Sequence, residues 1–240
     1  MRKLFYTLAI AAFAATSLQA QNLDQILKDH FKAHGQDKMA TVNTMVATYK
    51  MGITALGGME ISLKLFQARP DKMRAETDMM GTKAITTFNG TTGWMLNPGM
   101  GITEPQQMGE AEIKGAMQQI QFDSPLWNYQ EKGNTLELLG SSDDGSAYVV
   151  KMTQKEGEHM TLLIDKKTSL ITGITTTQLM GGTETEIQVN MKDFKTVKGI
   201  PTAHYMATKV NGEVMATMTL ESIEYDREID PALFEKPEAE

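Results

Sequence analysis

The 240-residue chain contains no cysteine. That absence excludes a disulfide framework, a thiolate nucleophile, a cysteine-ligated metal and the lipidated cysteine that anchors an exported bacterial protein. Positive charge is in short supply as well, with 23 Lys and Arg against 30 Asp and Glu. Such a surface repels phosphate backbones and anionic headgroups, so no nucleic acid is expected as partner. Long apolar runs are missing: the one candidate, Leu4 to Ala15, falls short of the ~20 residues a membrane span needs. With Arg2 and Lys3 before it and Leu18-Gln19-Ala20 after it, this run reads as a secretory signal peptide over residues 1–20. The expected product is a periplasmic protein, 21–240, folded as a single domain and monomeric. Without Arg2 and Lys3 it carries 21 basic and 30 acidic residues, a formal charge of −9.

Catalytic signatures are absent too. There is no G-x-S-x-G elbow and no phosphate-cradling glycine loop, and His159 and His204 lie in alternating segments without a recognisable partner. No enzyme activity and no cofactor are expected. His30 and His34 stand four apart, a spacing able to present two imidazoles to one metal, yet no Glu stands beside His30 as the zinc-protease motif requires. Met215 and Met218, with Met79-Met80, have the residue type that suits Cu(I), without the dense Met-His run such sites use. No metal site is expected from either set.

What the chain does have is methionine, 19 residues of it. Thioether side chains are flexible and polarisable and serve surfaces that accept apolar partners of varying shape, although they also fill ordinary cores. Their placement follows a pattern. Leu23, Ile26, Leu27 and Phe31 have helical spacing, with Gly35 placed to end a helix after His34. From Met45 the period becomes two: Met45, Ala47, Tyr49, Met51 and Ile53 share one face, as do Met59, Ile61, Leu63 and Leu65 after the Gly57-Gly58 turn. After Arg69-Pro70-Asp71, Met73, Ala75, Thr77 and Met79 alternate with Lys72, Arg74, Glu76 and Asp78, a clear inside and outside assignment. Asn89-Gly90 has the residues of a type I′ hairpin. Beyond Pro98 the alternation stops, and Thr103 to Ile120 reads as a helix carrying Met108, Ile113, Met117 and Ile120 on one side, weakened by Gly109 and Gly115. Phe122 to Tyr129 adds a short aromatic piece. Seven further strands run from Thr135 to Glu224, joined by turn-like residues such as Gly181-Gly182 and Asn211-Gly212. About a dozen strands in hairpin succession predict a mainly β fold whose antiparallel sheet curls on itself.

Arg69-Pro70 followed by Arg74, the Asn89-Gly90 turn, Trp94-Met95-Leu96-Asn97-Pro98 and the closing Asp230-Pro231-Ala232-Leu233-Phe234 with Pro237 resemble the pattern of the LolA-like outer-membrane lipoprotein-sorting proteins. The resemblance implies a strongly curved antiparallel sheet forming an incomplete β-barrel, with helices plugging its open concave side and a cavity that shields lipoprotein acyl chains. It implies that Arg69 latches the helical lid, and that membrane-bound lipoprotein release and acceptor proteins are partners. The candidate cavity comprises Met45, Met51, Met59, Ile61, Leu63, Met73, Met79, Trp94, Leu96, Met108, Ile113, Met117 and Ile120. On periodicity alone Trp94, which shares its face with Leu96, falls in the core and only the resemblance moves it to the cavity; without the resemblance Arg69 reads as a turn residue in solvent. The chain departs from the pattern in lining the cavity with Met, Leu and Ile rather than aromatics and in carrying Asn89 in place of Asp. An envelope-stress sensor that binds a membrane-protein partner is the alternative reading of the same fold.

Overall fold

The computed structural model describes residues 22–79, 81–119, 122–180 and 182–238; the leader reading of 1–20 and the candidate Ile120 lie outside them. Helix α1 occupies residues 22–34 and stops at Gly35, whose φ of 69° favours a residue without a Cβ. A short helix α2 follows, Gln36–Met39. Thirteen strands make up most of the rest: β1 Thr44–Ile53, β2 Met59–Ala68, β3 Lys72–Met79, β4 Thr82–Asn89, β5 Gly93–Asn97, β6 Ile102–Gln107, β7 Thr135–Ser141, β8 Ala147–Thr153, β9 His159–Asp165, β10 Ile171–Met180, β11 Thr183–Val197, β12 Ile200–Val210 and β13 Glu213–Tyr225. Helix α3, Glu110–Gln119, separates β6 from β7.

The pairing is antiparallel, in the order β6-β5-β4-β3-β2-β1-β13-β12-β11-β10-β9-β8-β7. That order has two ends, β6 and β7, so the sheet is not closed into a barrel. One end strand contains Pro105, and the other is broken by a register shift between Leu138 and Gly140. The fold is mainly β with few helices, as the alternating pattern predicts.

Two compact units divide the chain. The first joins the chain up to Gln36 with Ser124–Asn190, and its buried residues include Ile26 and Leu27 of α1, Leu126, and Val150, Met152, Leu162 and Ile164 from β8 and β9. The rings of Trp127 and Phe31 pack in a T-shaped pair, with centroids 5.0 Å apart. The second unit, Asp37–Asp123 with Met191–Glu240, holds β1 to β6, β12, β13 and the end of β11.

Three sequence expectations change. Residues 102–107 are strand β6 rather than the start of a helix; Pro105 is compatible with an edge strand, where a missing N–H costs no ladder bond. The helix itself begins only at Glu110, behind Gly109, whose N–H bonds the Glu112 side chain at 2.7 Å. Asn89-Gly90 is not a type I′ pair, because the Asn89 φ is not positive. Instead the Asn89 carboxamide oxygen accepts from the N–H groups of Thr91 and Thr92 at 3.1 and 2.9 Å, an Asx turn. Asn211-Gly212, by contrast, has both φ values positive, at 49° and 85°. At Gly90 the φ of 95° favours a residue without a Cβ, and a Cβ there would have to push aside the Asp71 carboxylate, whose Oδ1 would stand 2.5 Å away.

Candidate functional site

The register of the second unit sorts its side chains into two faces, because each residue shares its face with its cross-strand partner. On one face the lateral rows run Met45-Gln67-Met73-Phe88, then Ala47-Leu65-Ala75-Thr86-Met95, then Tyr49-Leu63-Thr77-Ala84, then Met51-Ile61, then Ile53-Met59. β13 continues these rows with Ile223, Leu220, Met218 and Ala216, and β12 adds Met206 beside Met218. Met79 pairs with Thr82 at the end of the β3–β4 ladder.

The first two rows are covered. Met73, Phe88, Met108 and Ala116 form a buried cluster, with Leu65, Ala75, Met95 and Ile113 packed against it. α3 therefore lies over this part of the face through Ile113 and Ala116. Gly93 makes room for Met108, since a Cβ there would come within 2.6 Å of the sulfur. The remaining rows are half-exposed at Met51, Leu63, Met206 and Met218, while Ile61 and Tyr49 are buried. Burial and the neighbouring Tyr225 push the Tyr49 hydroxyl up to about 12, so it is a neutral group within an apolar surface. Tyr225 shifts upward for the same first reason, burial, and shares a 2.9 Å hydrogen bond with Thr202.

Among the proposed cavity residues, the face thus brings together Met45, Met51, Met59, Ile61, Leu63 and Met73, with Met108 and Ile113 over it. Trp94 and Leu96 do not join them. They pair with Thr87 and Ile85 on the opposite face, in line with Arg74, Phe66 and Val46. That face is covered by the C-terminal 3₁₀ turn Pro231–Phe234: Phe234 is buried with Val46 and Phe66, and Lys236 stands 5.0 Å from the Trp94 ring. Met117 is also displaced, being 50% exposed on α3. The sequence reading missed Phe88, Met95 and Ala116 as lining residues; the parity of β4 and β5 was the available signal, and only the register fixes it.

Arg69 is fully engaged at the β2–β3 corner, where the Arg69-Pro70 peptide is cis. Its Nη1 and Nη2 donate to the two Asp123 carboxylate oxygens at 2.8 and 2.9 Å, a bidentate fork. Nε donates to the Val42 carbonyl at 2.7 Å and Nη2 to that of Met39 at 3.1 Å. The guanidinium also lies 4.8 Å from the Phe122 ring. Phe122 itself is buried with Met39, Val42, Ile200 and Tyr225. The arginine therefore binds the segment that follows α3, together with the end of α2, and closes one end of the apolar face. Asp123, the carboxylate beside Phe122, was not singled out in the sequence.

His30 and His34 stack at 5.5 Å in the first unit. Both His30 ring nitrogens are occupied: Nδ1 lies 2.8 Å from the Ser169 carbonyl and Nε2 2.8 Å from Ser124 Oγ. The carbonyl can only accept, so Nδ1 carries the proton and the serine hydroxyl donates to Nε2. Burial, with a smaller contribution from His34, lowers the His30 imidazole to about 4 despite the Ser169 bond. It is a neutral structural node. Among the described residues no group of three or more His, Asp and Glu could hold a metal ion.

No protein-family model matches the sequence, and no curated protein matches it. Solved structures do. A DUF1329 family protein from Desulfovibrio piger aligns with a TM-score of 0.60 at 15% identity, over 88% of this chain and 97% of that one. A putative outer membrane lipoprotein-sorting protein domain from Vibrio parahaemolyticus gives 0.55 at 12% identity, over 86% and 93%. A LolA superfamily protein from Nitrosomonas europaea gives 0.57 at 11% identity, over 89% and 97%. The fold is LolA-like. At these identities the likeness carries the architecture seen in the register and no ligand. No helix among the described residues is long and apolar enough to cross a membrane.

Proposed function

We propose that this LolA-like chain is a non-enzymatic periplasmic carrier that shelters the acyl chains of a lipoprotein, or of another lipid, on the Met- and Leu-rich face of β1, β2, β12 and β13. The half-exposed rows containing Met51, Leu63, Met206 and Met218 support this reading. Each CH₂ that leaves water gains about 0.8 kcal/mol, so such a face holds lipid tails without polar contacts. In this reading α3 is the lid and the Arg69–Asp123 fork its latch, residues 1–20 are a cleaved leader, and membrane-bound release and acceptor proteins hand the cargo on.

The test is extraction of the purified mature protein followed by mass spectrometry, together with uptake of an apolar fluorescent probe. Co-purified acyl lipid and saturable uptake that a Leu63→Glu variant abolishes are the expected results. Absence of both lipid and uptake overturns the proposal.

A further inference from the structure

Strand β12 carries an imidazole into the apolar face. Its ladder with β13 pairs Tyr205 with Thr219 and Met206 with Met218, so alternation puts His204 on the Met206 side of the strand, with Thr202 and Ile200 behind it. These four residues pass from the closed end of the face to its half-exposed rows. Ile200 is buried with Met39, Val42, Phe122 and Tyr225, at the end where Arg69 bonds the Val42 and Met39 carbonyls. Thr202 Oγ1 is engaged with the Tyr225 hydroxyl at 2.9 Å. Met206 is half-exposed beside Met218. His204 lies between them, close to the step where Leu220 is buried with Ala47 and Tyr49.

The Nε2 atom of His204 is buried, and no protein group among the described residues hydrogen-bonds it. His30 is the contrast: the fold occupies both of its ring nitrogens. A buried ring nitrogen without a partner costs free energy that the leucines and methionines of the same face do not incur. A ligand that brings a hydrogen-bonding atom to Nε2 removes that cost. The neighbouring Met51, Leu63, Met206 and Met218 offer it hydrocarbon contact and no charge. The matching ligand is therefore a hydrocarbon chain with an oxygen at one end.

We propose that His204 is the polar anchor of the carrier site, its Nε2–H donating to the carboxyl oxygen that ends an acyl chain, whether carboxylate or ester. The inference rests on the carrier reading and adds the polar end of the ligand and its direction. The carboxyl group meets His204 on the Thr202–Tyr225 side, and the hydrocarbon runs past Met206 and Met218. A carboxylate or ester oxygen only accepts, so His204 carries its proton on Nε2, the opposite tautomer to that of His30.

Displacement of the hydrocarbon probe diphenylhexatriene from the purified mature protein tests this. Dodecanoate and methyl dodecanoate should both displace the probe from the wild type. His204→Leu removes the donor and keeps the position apolar; it should weaken both acyl ligands about tenfold and leave the probe affinity within about twofold. Weakening of dodecanoate alone supports the anchor and assigns it to free carboxylates; weakening of both extends it to esters. A second measurement does not depend on how well the leucine variant folds. In wild type labelled with 15N-histidine, dodecanoate should move the His204 Nε2 signal, identified by its absence from His204→Gln, and leave those of His30 in place. An equal loss for probe and acyl ligands in His204→Leu, no loss for either acyl ligand, or an unmoved His204 signal at saturating dodecanoate overturns the inference and leaves the carrier reading standing. A wild type that takes up no probe, or from which neither acyl ligand displaces it, overturns both.

Discussion

His30 is an ionisable side chain that the fold keeps uncharged, and that has a measurable consequence. In the unfolded chain it binds a proton below about 6.5, and in the folded chain only below about 4. Between those values the unfolded state therefore holds more protons, and stability falls as pH falls. The contribution is complete above pH 6.5 and amounts to roughly 3 kcal/mol, lost progressively by pH 4. Denaturant unfolding of wild type and His30→Gln across this range should give curves whose difference shrinks by about that amount on acidification. Parallel curves would show that His30 is not the responsible group. A second residue-scale expectation concerns Gly93, where an added methyl meets Met108 at its sulfur and at Cβ. Gly93→Ala should cost about 1–3 kcal/mol by overpacking, read as a lowered urea midpoint with an unchanged slope. The i, i+4 spacing of the two histidines was plain in the sequence. Their role was not, because the partners of His30 lie 94 and 139 residues away.

Among the elements, α3 and the segment after it are the part most open to manipulation. The helix is preceded by Gly109 and contains Gly115, and Ala116 and Ile113 are among the residues through which it meets the sheet. Tertiary anchoring must hold it, since a ten-residue helix of this composition is marginal alone. Asp123→Asn removes the charged acceptor of the Arg69 fork, whose partners are only about a quarter exposed. The expected loss, allowing for solvent screening, is about 1–3 kcal/mol. Amide exchange should accelerate in α3 and around Phe122, while β1 and β2 keep their protection. Uniform acceleration throughout the chain would mean that the fork has no local role. Strand existence was legible because period-two alternation is strong in β1 to β3. The β6 error came from extending the helical reading back to Thr103, where Pro105 suits the first turn of a helix and an edge strand alike. The facing of Trp94 was illegible for a related reason: the loop after Asn89 sets the parity of β5, and loop length in an Asx turn is not written in the alternation.

At the scale of the whole molecule, the mainly β antiparallel sheet followed from strand count and turn spacing and its LolA-like form from the resemblance at Arg69-Pro70, Trp94 to Pro98 and Asp230 to Phe234, and solved structures at 11–15% identity share that fold. The ligand did not follow, since an apolar face records volume and polarity but not the identity of what covers it. On the proposed carrier reading, a lipid that binds only the folded chain should stabilise it by mass action, about 2.7 kcal/mol at a hundredfold excess over Kd. Thermal unfolding of delipidated and reloaded protein should therefore differ by several degrees.

The unclosed strand order has one more consequence, which concerns what the protein avoids. An open sheet offers its end strands as templates on which other chains can polymerise. Pro105 removes one N–H from β6, and the register break at Gly140 kinks β7. Replacing Pro105 by Val should restore a continuous donor row and produce concentration-dependent oligomers in light scattering, where the wild type stays at one mass. The two blunted edges set where the sheet stops, so an architecture built to expose an apolar face can do so without becoming a seed for fibres.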